Sequence, residues 1–302
     1  MSEEKKEDIS AKAASANVLA EALPYISRFH GSYVVVKYGG HALVEESINE
    51  AIVKDTILLK YLGMKPVVVH GGGPEITHAM QKFGKKPKFV EGLRITDEET
   101  LDIAKMVLVG KINSEIVSKI NKLGGRAIGL SGEAGIVIAK KKDPAKVVLR
   151  GREKEIDLGF VGEVERINPE VMTLVSQQGY IPVLSPIGIT EEGEGMNINS
   201  DEVAGAVAST LKAKKLLMLT DVDGVLRDVK DPSTLIKKLS IAEAKELIEK
   251  NIAAGSMLPK LKACIAAAES EVEAHIINGK TLHAILLELF TDEGIGTMIQ
   301  PF

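Results

Sequence analysis

Two runs of β-branched residues constrain this chain more than any other feature. Tyr33-Val34-Val35-Val36 ends on Lys37, with Gly39-Gly40 just beyond, and Pro66-Val67-Val68-Val69 ends on His70, with Gly71-Gly72-Gly73-Pro74 beyond. An apolar run without polar alternation reads as a buried strand of a parallel sheet. Each run therefore brings a polar residue and a glycine turn to a strand's carboxyl end, where open α/β sheets bind ligands. Glycines leave backbone N–H groups open to an anion. Pro74 suits the first turn of a helix, where its missing N–H costs nothing. The triglycine thus enters a helix N-terminus, with free amides and the positive end of a dipole. One lysine ending a strand is ordinarily just solvated, and a glycine turn can be only a tight corner. Three glycines in a row, and the device used twice, favour a cradle for phosphate or carboxylate.

Strand patterns fall at 33–37, 66–70, 126–130, 136–139, 146–149, 180–184, 215–219 and 273–277, and helical patterns at 44–62, 74–83, 97–123, 168–178, 200–212, 240–250 and 256–270. The alternation predicts an α/β fold with a mostly parallel sheet and helices on both faces. The short strands between 126 and 164 read as a hairpin excursion on the first half. For the 97–123 helix, Thr96 and Glu99 suggest a capping box, Leu101, Ala104, Leu108 and Ile112 an apolar stripe, and Gly124-Gly125 the stop. Such a long helix packs on the sheet and has a second face that could form a dimer. Before the first core strand, residues Ile9 to Phe29 read as an amphipathic helix that Pro24 interrupts. The polar, glycine-rich stretch Ile189 to Gly195 is the expected boundary between lobes, giving residues 1–31 as an N-terminal helix, 32–190 as a first lobe and 191–302 as a second, on one continuous sheet.

Composition narrows the function. The 302 residues are 45% hydrophobic and 26% charged, with a formal net charge of −4, so no general affinity for polyanions is expected. Aromatics are 4% and Trp is absent, which argues against stacking on nucleic-acid bases. The single cysteine, Cys264, excludes an intrachain disulfide and a Cys-based zinc cluster. No stretch approaches the ~20 apolar residues of a membrane span. The charged start Met1-Ser2-Glu3-Glu4-Lys5-Lys6-Glu7-Asp8 lacks the apolar region of a signal peptide, so the cytoplasm is expected.

Two common nucleotide motifs fail. Gly279-Lys280-Thr281 resembles the end of a P-loop, but the glycine required five residues earlier is Ala274. Gly193-Glu194-Gly195 lacks the third glycine of a dinucleotide fingerprint. Other candidates remain. Arg94, just before a helix, could clamp a carboxylate or could be a surface cation. Asn197, Asn199 and Asp201 place two amides and a carboxylate within five residues, where Asp201 could also be a plain helix cap. Asp221-Val222-Asp223-Gly224-Val225 is an acidic turn after a third core strand, suited to a ribose, an adenine amine or water around a metal. Lys260 stands in a first helical turn, where a cation opposes the dipole; an anionic ligand would explain it, or it could be a solvated lysine.

Val36-Lys37-Tyr38-Gly39-Gly40, Val69-His70-Gly71-Gly72-Gly73-Pro74, Gly92-Leu93-Arg94-Ile95-Thr96, Met196-Asn197-Ile198-Asn199-Ser200-Asp201 and Asp221-Val222-Asp223-Gly224-Val225-Leu226 occur in that order. Together they resemble the N-acetyl-L-glutamate kinases of the amino acid kinase family, over about Tyr33 to Ile299. The resemblance implies a three-layer αβα sandwich and transfer of the γ-phosphoryl of ATP to the side-chain carboxylate of N-acetyl-L-glutamate, in arginine biosynthesis. It implies that Lys37 and Lys260 approach the phosphoryl group from opposite sides, that Asp201 orients both, and that Gly40 and Gly72 donate amides to it. By the same resemblance Gly72, Gly73, Arg94, Asn197 and Asn199 serve the acyl amino acid. Asp221, Val222, Asp223, Gly224, Val225 and Leu226, with Ile252, Ala253, Ala254 and Lys260, serve the nucleotide, and magnesium rides on the ATP phosphates without a protein ligand. Glu133 and Ala134 stand where the family's aspartate-bearing turn is expected. The N-terminal helix and the tail resemble the arginine-inhibited members, with Tyr25, His275, Glu288 and Gly294 at the effector and paired helices building a hexamer. A nitrogen-signalling protein is then a candidate partner. Two rivals stand beside this reading: a kinase for carrier-linked aminoadipate in lysine biosynthesis, and a sensor that binds nucleotide and arginine without transfer.

Overall fold

The computed structural model describes residues 20–39, 45–149, 152–228 and 230–301. Its strands are β1 (Tyr33–Tyr38), β2 (Lys65–His70), β3 (Phe89–Val90), β4 (Leu93–Arg94), β5 (Ala127–Ser131), β6 (Val137–Lys141), β7 (Ala145–Leu149), β8 (Arg152–Ile156), β9 (Val161–Ile167), β10 (Ile181–Ser185), β11 (Ile187–Ile189), β12 (Gly195–Ile198), β13 (Lys215–Thr220), β14 (Lys238–Ser240), β15 (Glu273–Asn278) and β16 (Thr297–Gln300). Eight of them form the central sheet in the order β14-β16-β15-β13-β1-β2-β10-β5. From β15 to β5 every neighbouring pair is parallel, and only β16 lies antiparallel to β15.

The valine runs divide between the two faces, as a period of two requires. Val35, Val67, Val69, Leu216 and Met218 pack on one face, with Val203, Val207, Leu261 and Cys264 from the helices Ser200–Thr210 and Met257–Glu269. Val34, Val36, Val68, Leu217 and Leu219 pack on the other, with side chains of the helices Glu46–Tyr61, Ser114–Lys122 and Ala284–Leu289. Burial contributes about 1.5–3 kcal/mol per such side chain, against a β-propensity range of only ~1 kcal/mol. Double-sided burial therefore decides why these runs are strands. Cys264 is buried in this core, as a small apolar group.

Several expectations are corrected. The 126–164 region is more than a hairpin excursion: β6, β9, β11 and β12 close into a small barrel, with β7 and β8 as a hairpin beside it. Ile189 to Gly195, expected at a lobe boundary, is the turn joining the antiparallel β11 and β12. The 97–123 segment is helical but not uniform, since Met106–Asn113 forms a π-helical segment between the α-helices Glu98–Lys105 and Ser114–Lys122. Its cap is Asp97, whose carboxylate accepts from Thr100 N, rather than Thr96. Glu99 instead pairs with Lys85 at 2.7 Å. Near the start of the described chain a turn at Ala22 separates two helical pieces, and Pro24 enters the first turn of Leu23–Phe29. Most of the expected Ile9 to Phe29 helix lies outside the described residues, as does Gly40.

Candidate active site

Lys37 is the penultimate residue of β1, two places beyond Val35 and so on the face covered by the Ser200–Thr210 and Met257–Glu269 helices. Asn199 caps the first of these, its side-chain oxygen accepting from Asp201 N at 2.8 Å and Glu202 N at 3.4 Å. Asp201 is thereby placed in the first turn, 4% exposed, at the positive end of the dipole. Lys260 lies in the opening turn of the Met257–Glu269 helix.

These three side chains meet. Lys37 Nζ lies 2.9 Å from Asp201 Oδ1, an ion pair without hydrogen-bond alignment. Lys260 Nζ donates to Asp201 Oδ2 at 2.9 Å. Burial opposes the charge on Asp201, but the ammonium groups of Lys37 and Lys260 outweigh it and hold the carboxyl below the usual carboxylate range. Among the described residues, two cations on one carboxylate leave one positive charge in excess at the carboxyl edge of the sheet. A buried charge of that kind needs an anion.

The glycine turns after β1 and β2 lie beside it. Gly71 N donates to Tyr38 O at 2.7 Å. A Cβ on Gly39 would sit 3.2 Å from Lys37 Nζ and 3.3 Å from Gly71 N, so the two turns present bare backbone next to the ammonium group. A Cβ on Gly72 would meet Ile112 Cδ1 at 2.3 Å and Leu108 Cδ2 at 2.8 Å, so only glycine allows the π-helical segment to press this close. Gly73 faces open space within the first turn of the helix Gly73–Lys82.

Arg94, on β4, is 8% exposed and reaches that helix. It donates to Gly73 O at 2.9 Å, to Thr77 Oγ1 at 2.8 Å and to Met80 Sδ at 3.2 Å, and stacks over Phe89 at 4.6 Å. Asn197, on β12, donates to Thr96 Oγ1 at 3.3 Å, and that hydroxyl donates to Arg94 O at 2.9 Å. Lys37, Lys260 and Asp201 thus form one cluster, with Gly72 and Gly73 opening the helix that Arg94 grips and Asn197 linked to Arg94 through Thr96. The carboxamide of Asn199 is engaged as a cap. Glu133 pairs with Lys105 at 2.5 Å, and Ala134 is exposed. Ser200 was given no role from the sequence, yet its hydroxyl approaches the position of a Gly71 Cβ to 3.1 Å. Its only sequence signal is its place in the Asn199-Ser200-Asp201 run.

The chain as a whole has counterparts among known proteins. Residues 32–278 match the model of the amino acid kinase family. The chain belongs to the amino acid kinase family. It is 55% identical to an acetylglutamate kinase of Methanocaldococcus jannaschii over 286 residues, 94% of this chain and 95% of that one. Among solved structures it resembles an N-acetylglutamate synthase from Neisseria gonorrhoeae complexed with coenzyme A and N-acetyl-glutamate, with a TM-score of 0.79 and 28% identity over 94% of this chain. The same synthase complexed with coenzyme A and L-arginine gives a TM-score of 0.75. The chain spans 63% of the first synthase chain and 65% of the second.

On this amino acid kinase fold the expected nucleotide residues are divided. Asp221, Val222 and Asp223 follow β13, and Val222 is 38% exposed. Asp223 accepts from Asn278 Nδ2 at 2.7 Å. Gly224, at φ 150°, is wedged so that a Cβ would lie 2.5 Å from Thr297 Oγ1. Val225 has its side chain in the core, its N–H donates to Thr297 Oγ1 at 2.9 Å, and its carbonyl accepts from Ile236 N. Leu226 is half-buried, Ile252 and Ala254 are exposed, and Ala253 is buried. Among the described residues no group of three or more His, Cys, Asp or Glu could hold a metal, and no helix is long and apolar enough to cross a membrane.

The four tail residues come together. Tyr25, His275, Glu288 and Gly294 line one cavity of about 260 Å³ with Arg28, Lys215 and Glu273. Lys215 pairs with Glu273 at 2.5 Å and donates to His275 Nε2 at 2.9 Å. His275 Nδ1 then carries the hydrogen toward Glu288 Oε1 at 2.5 Å. Burial pushes the His275 pKa down, so the ring stays neutral. Glu288 also accepts from Ile295 N at 2.6 Å and Gly296 N at 3.1 Å. Tyr25 OH donates to Asp292 Oδ1 at 2.5 Å. Lys215 had no role from the sequence, because a lysine opening a strand looks solvent-bound.

Proposed function

We propose that this chain transfers the γ-phosphoryl group of ATP to the side-chain carboxylate of N-acetyl-L-glutamate, giving the acyl phosphate used in arginine biosynthesis. The observation that carries the reading is the convergence of Lys37 and Lys260 on the two oxygens of Asp201, beside the bare glycine turns. Two anions must approach each other in this reaction, and charge spreads over the equatorial oxygens of the transferring group. The protein's work is positioning and electrostatic stabilisation. Lys37 and Lys260 bracket the group, Asp201 keeps both ammonium groups aimed, and Gly72 and Gly40 supply amides. No general base is required, because the acceptor carboxylate is already ionised. Arg94, with Gly73 and Asn197, suits the acyl amino acid, Arg94 taking its α-carboxylate. Asp201 is occupied by two lysines, so magnesium would be held mainly by the nucleotide's phosphates and water, where it would neutralise phosphate charge.

The exposed Val222 and Ile252 are offered to the adenine ring, and Asp221 and Asp223 to the ribose. The tail cavity suits arginine: carboxylates at Glu273 and Glu288 answer a guanidinium or α-ammonium, and Lys215 and Arg28 answer an α-carboxylate. Feedback inhibition, a dimer through the 97–123 helix, a hexamer through the N-terminal helix, contact with a nitrogen-signalling protein and a cytoplasmic location belong to the same reading.

Hydroxylamine trapping tests it. Wild-type protein with ATP, magnesium and N-acetyl-L-glutamate is expected to yield an acyl hydroxamate. Turnover confined to a carrier-linked aminoadipate would move the chain to lysine biosynthesis. Tight ATP binding without any hydroxamate would make it a sensor.

A further inference from the structure

We propose that His70 and Asn113 are positioning residues for phosphoryl transfer: the Asn113 amide holds His70 in its Nδ1–H form, and His70 clamps the Gly71 carbonyl so that the Gly72 N–H is aimed at the transferring group. The proposal rests on the kinase reading above.

Each partner in this relay has a single role. Asn113 Nδ2 lies 2.8 Å from Val183 O. A carbonyl only accepts, so that amide atom is the nitrogen. Its second hydrogen faces His70 Nε2 at 3.2 Å, which makes Nε2 the bare lone pair. His70 Nδ1 lies 3.0 Å from Gly71 O, again only an acceptor, so Nδ1 carries the hydrogen. The tautomer is decided from both ends. Burial, reinforced by the Lys37 charge, pushes the His70 pKa down to about 4 despite the bond to Gly71, so the ring is neutral near pH 7.

The surroundings are shaped around this relay. Asn113 is the last residue of the π-helical segment, 5% exposed, and wide turns of this kind recur at functional sites. Val183 and Gly129 are paired across β10 and β5. A Cβ on Gly129 would sit 2.1 Å from Asn113 Oδ1, so glycine there makes room for the amide. The Gly71–Gly72 peptide is trans, so its C=O and N–H point in opposite directions. Fixing the carbonyl on His70 therefore fixes the N–H away from it. That N–H bonds to none of the described residues. Leu108 and Ile112 hold the same glycine from its other side. A preorganised donor of this kind typically carries on the order of 10²–10³ in rate.

The test has two readouts. In wild-type protein labelled with 15N at histidine, His70 is expected to show a protonated Nδ1 and an unprotonated Nε2, unchanged between about pH 6 and pH 9. A protonated Nε2, or an imidazolium, overturns the relay whatever any variant does. In kinetics, His70→Leu is expected to lower kcat by about tenfold to 10³-fold while the KM values for ATP and acceptor move less than about threefold. His70→Gln, which keeps an N–H donor, is expected to recover part of the loss. A folded His70→Leu protein with wild-type kcat, or a loss carried wholly in KM, overturns the positioning role. The two readings fail separately. Wild-type protein that makes no acyl phosphate overturns the kinase assignment and the catalytic use of the relay, whereas the wrong tautomer with normal turnover overturns only the relay.

Discussion

Asp201 concentrates the residue-scale chemistry, because one carboxylate is shared by two ammonium groups and almost no water. Removing one partner of a buried ion cluster leaves the remaining charge uncompensated, at about 3–5 kcal/mol. Asp201→Asn is therefore expected to lower stability by several kcal/mol in urea denaturation, besides lowering kcat. Lys37→Ala and Lys260→Ala are each expected to lower kcat by about 10²–10³-fold in the hydroxamate assay, with smaller changes in KM. The pH dependence follows from the sign of the shift. The folded-state pKa of Asp201 lies below the unfolded value, so its contribution is present above the ordinary carboxylate range and is lost as pH falls through the folded value. Acid unfolding should be less steep in Asp201→Asn than in wild-type protein. In the sequence Asp201 could equally have been a cap. That role belongs to Asn199, and the choice was made by how the Met257–Glu269 helix brings in Lys260.

At the scale of elements, the cluster of Lys37, Asp201 and Lys260 depends on two helices touching. Gly205 lies where a Cβ would come within 2.9 Å of Ala263 O and 3.2 Å of Ala263 Cβ. Gly205→Val should force apart the helices that carry Asp201 and Lys260. Overpacking of this kind costs about 1–3 kcal/mol. A lower melting temperature is expected together with a kcat loss larger than the melting shift explains. The strands that matter most were readable because burial on both faces leaves an unbroken apolar run. The barrel strands β11 and β12 and the edge strand β14 are only three or four residues long, too short for a period of two to register. The π-helical segment was hidden for a different reason. Its apolar stripe fits an ordinary helix, and only packing against Gly72 and Val183 reveals the extra residue per turn.

Across the whole molecule, β13 joins the two regions proposed for nucleotide and for arginine. Lys215 opens the strand in the tail cavity, and Asp221 follows its end at the expected nucleotide turn. The tail helix that carries Glu288 is tied to the helix Glu46–Tyr61 by His283 Nδ1 and Asp55 Oδ1 at 2.6 Å. Glu288→Gln is expected to abolish arginine inhibition and to weaken arginine binding in calorimetry while leaving uninhibited kcat near wild type. Deleting residues 1–30 should remove both inhibition and hexamer formation, read by activity with arginine and by sedimentation. A truncated protein that stays hexameric and arginine-sensitive would remove the N-terminal helix from the effector reading.

The sequence by itself determined the parallel core and the two glycine turns at its carboxyl edge, because strand burial and glycine approach are local demands written in consecutive residues. It also carried enough motif order to mark the family resemblance. Only the tertiary structure decided that Lys37 and Lys260 share one carboxylate, that Asn199 rather than Asp201 is the cap, and that His70 and Asn113 meet behind the triglycine. Apart from the cap, which Asn199 makes two and three residues along, those contacts join segments 43 to 164 positions apart. No local pattern encodes them, and they exist only once two-faced burial has stacked the helices on the sheet.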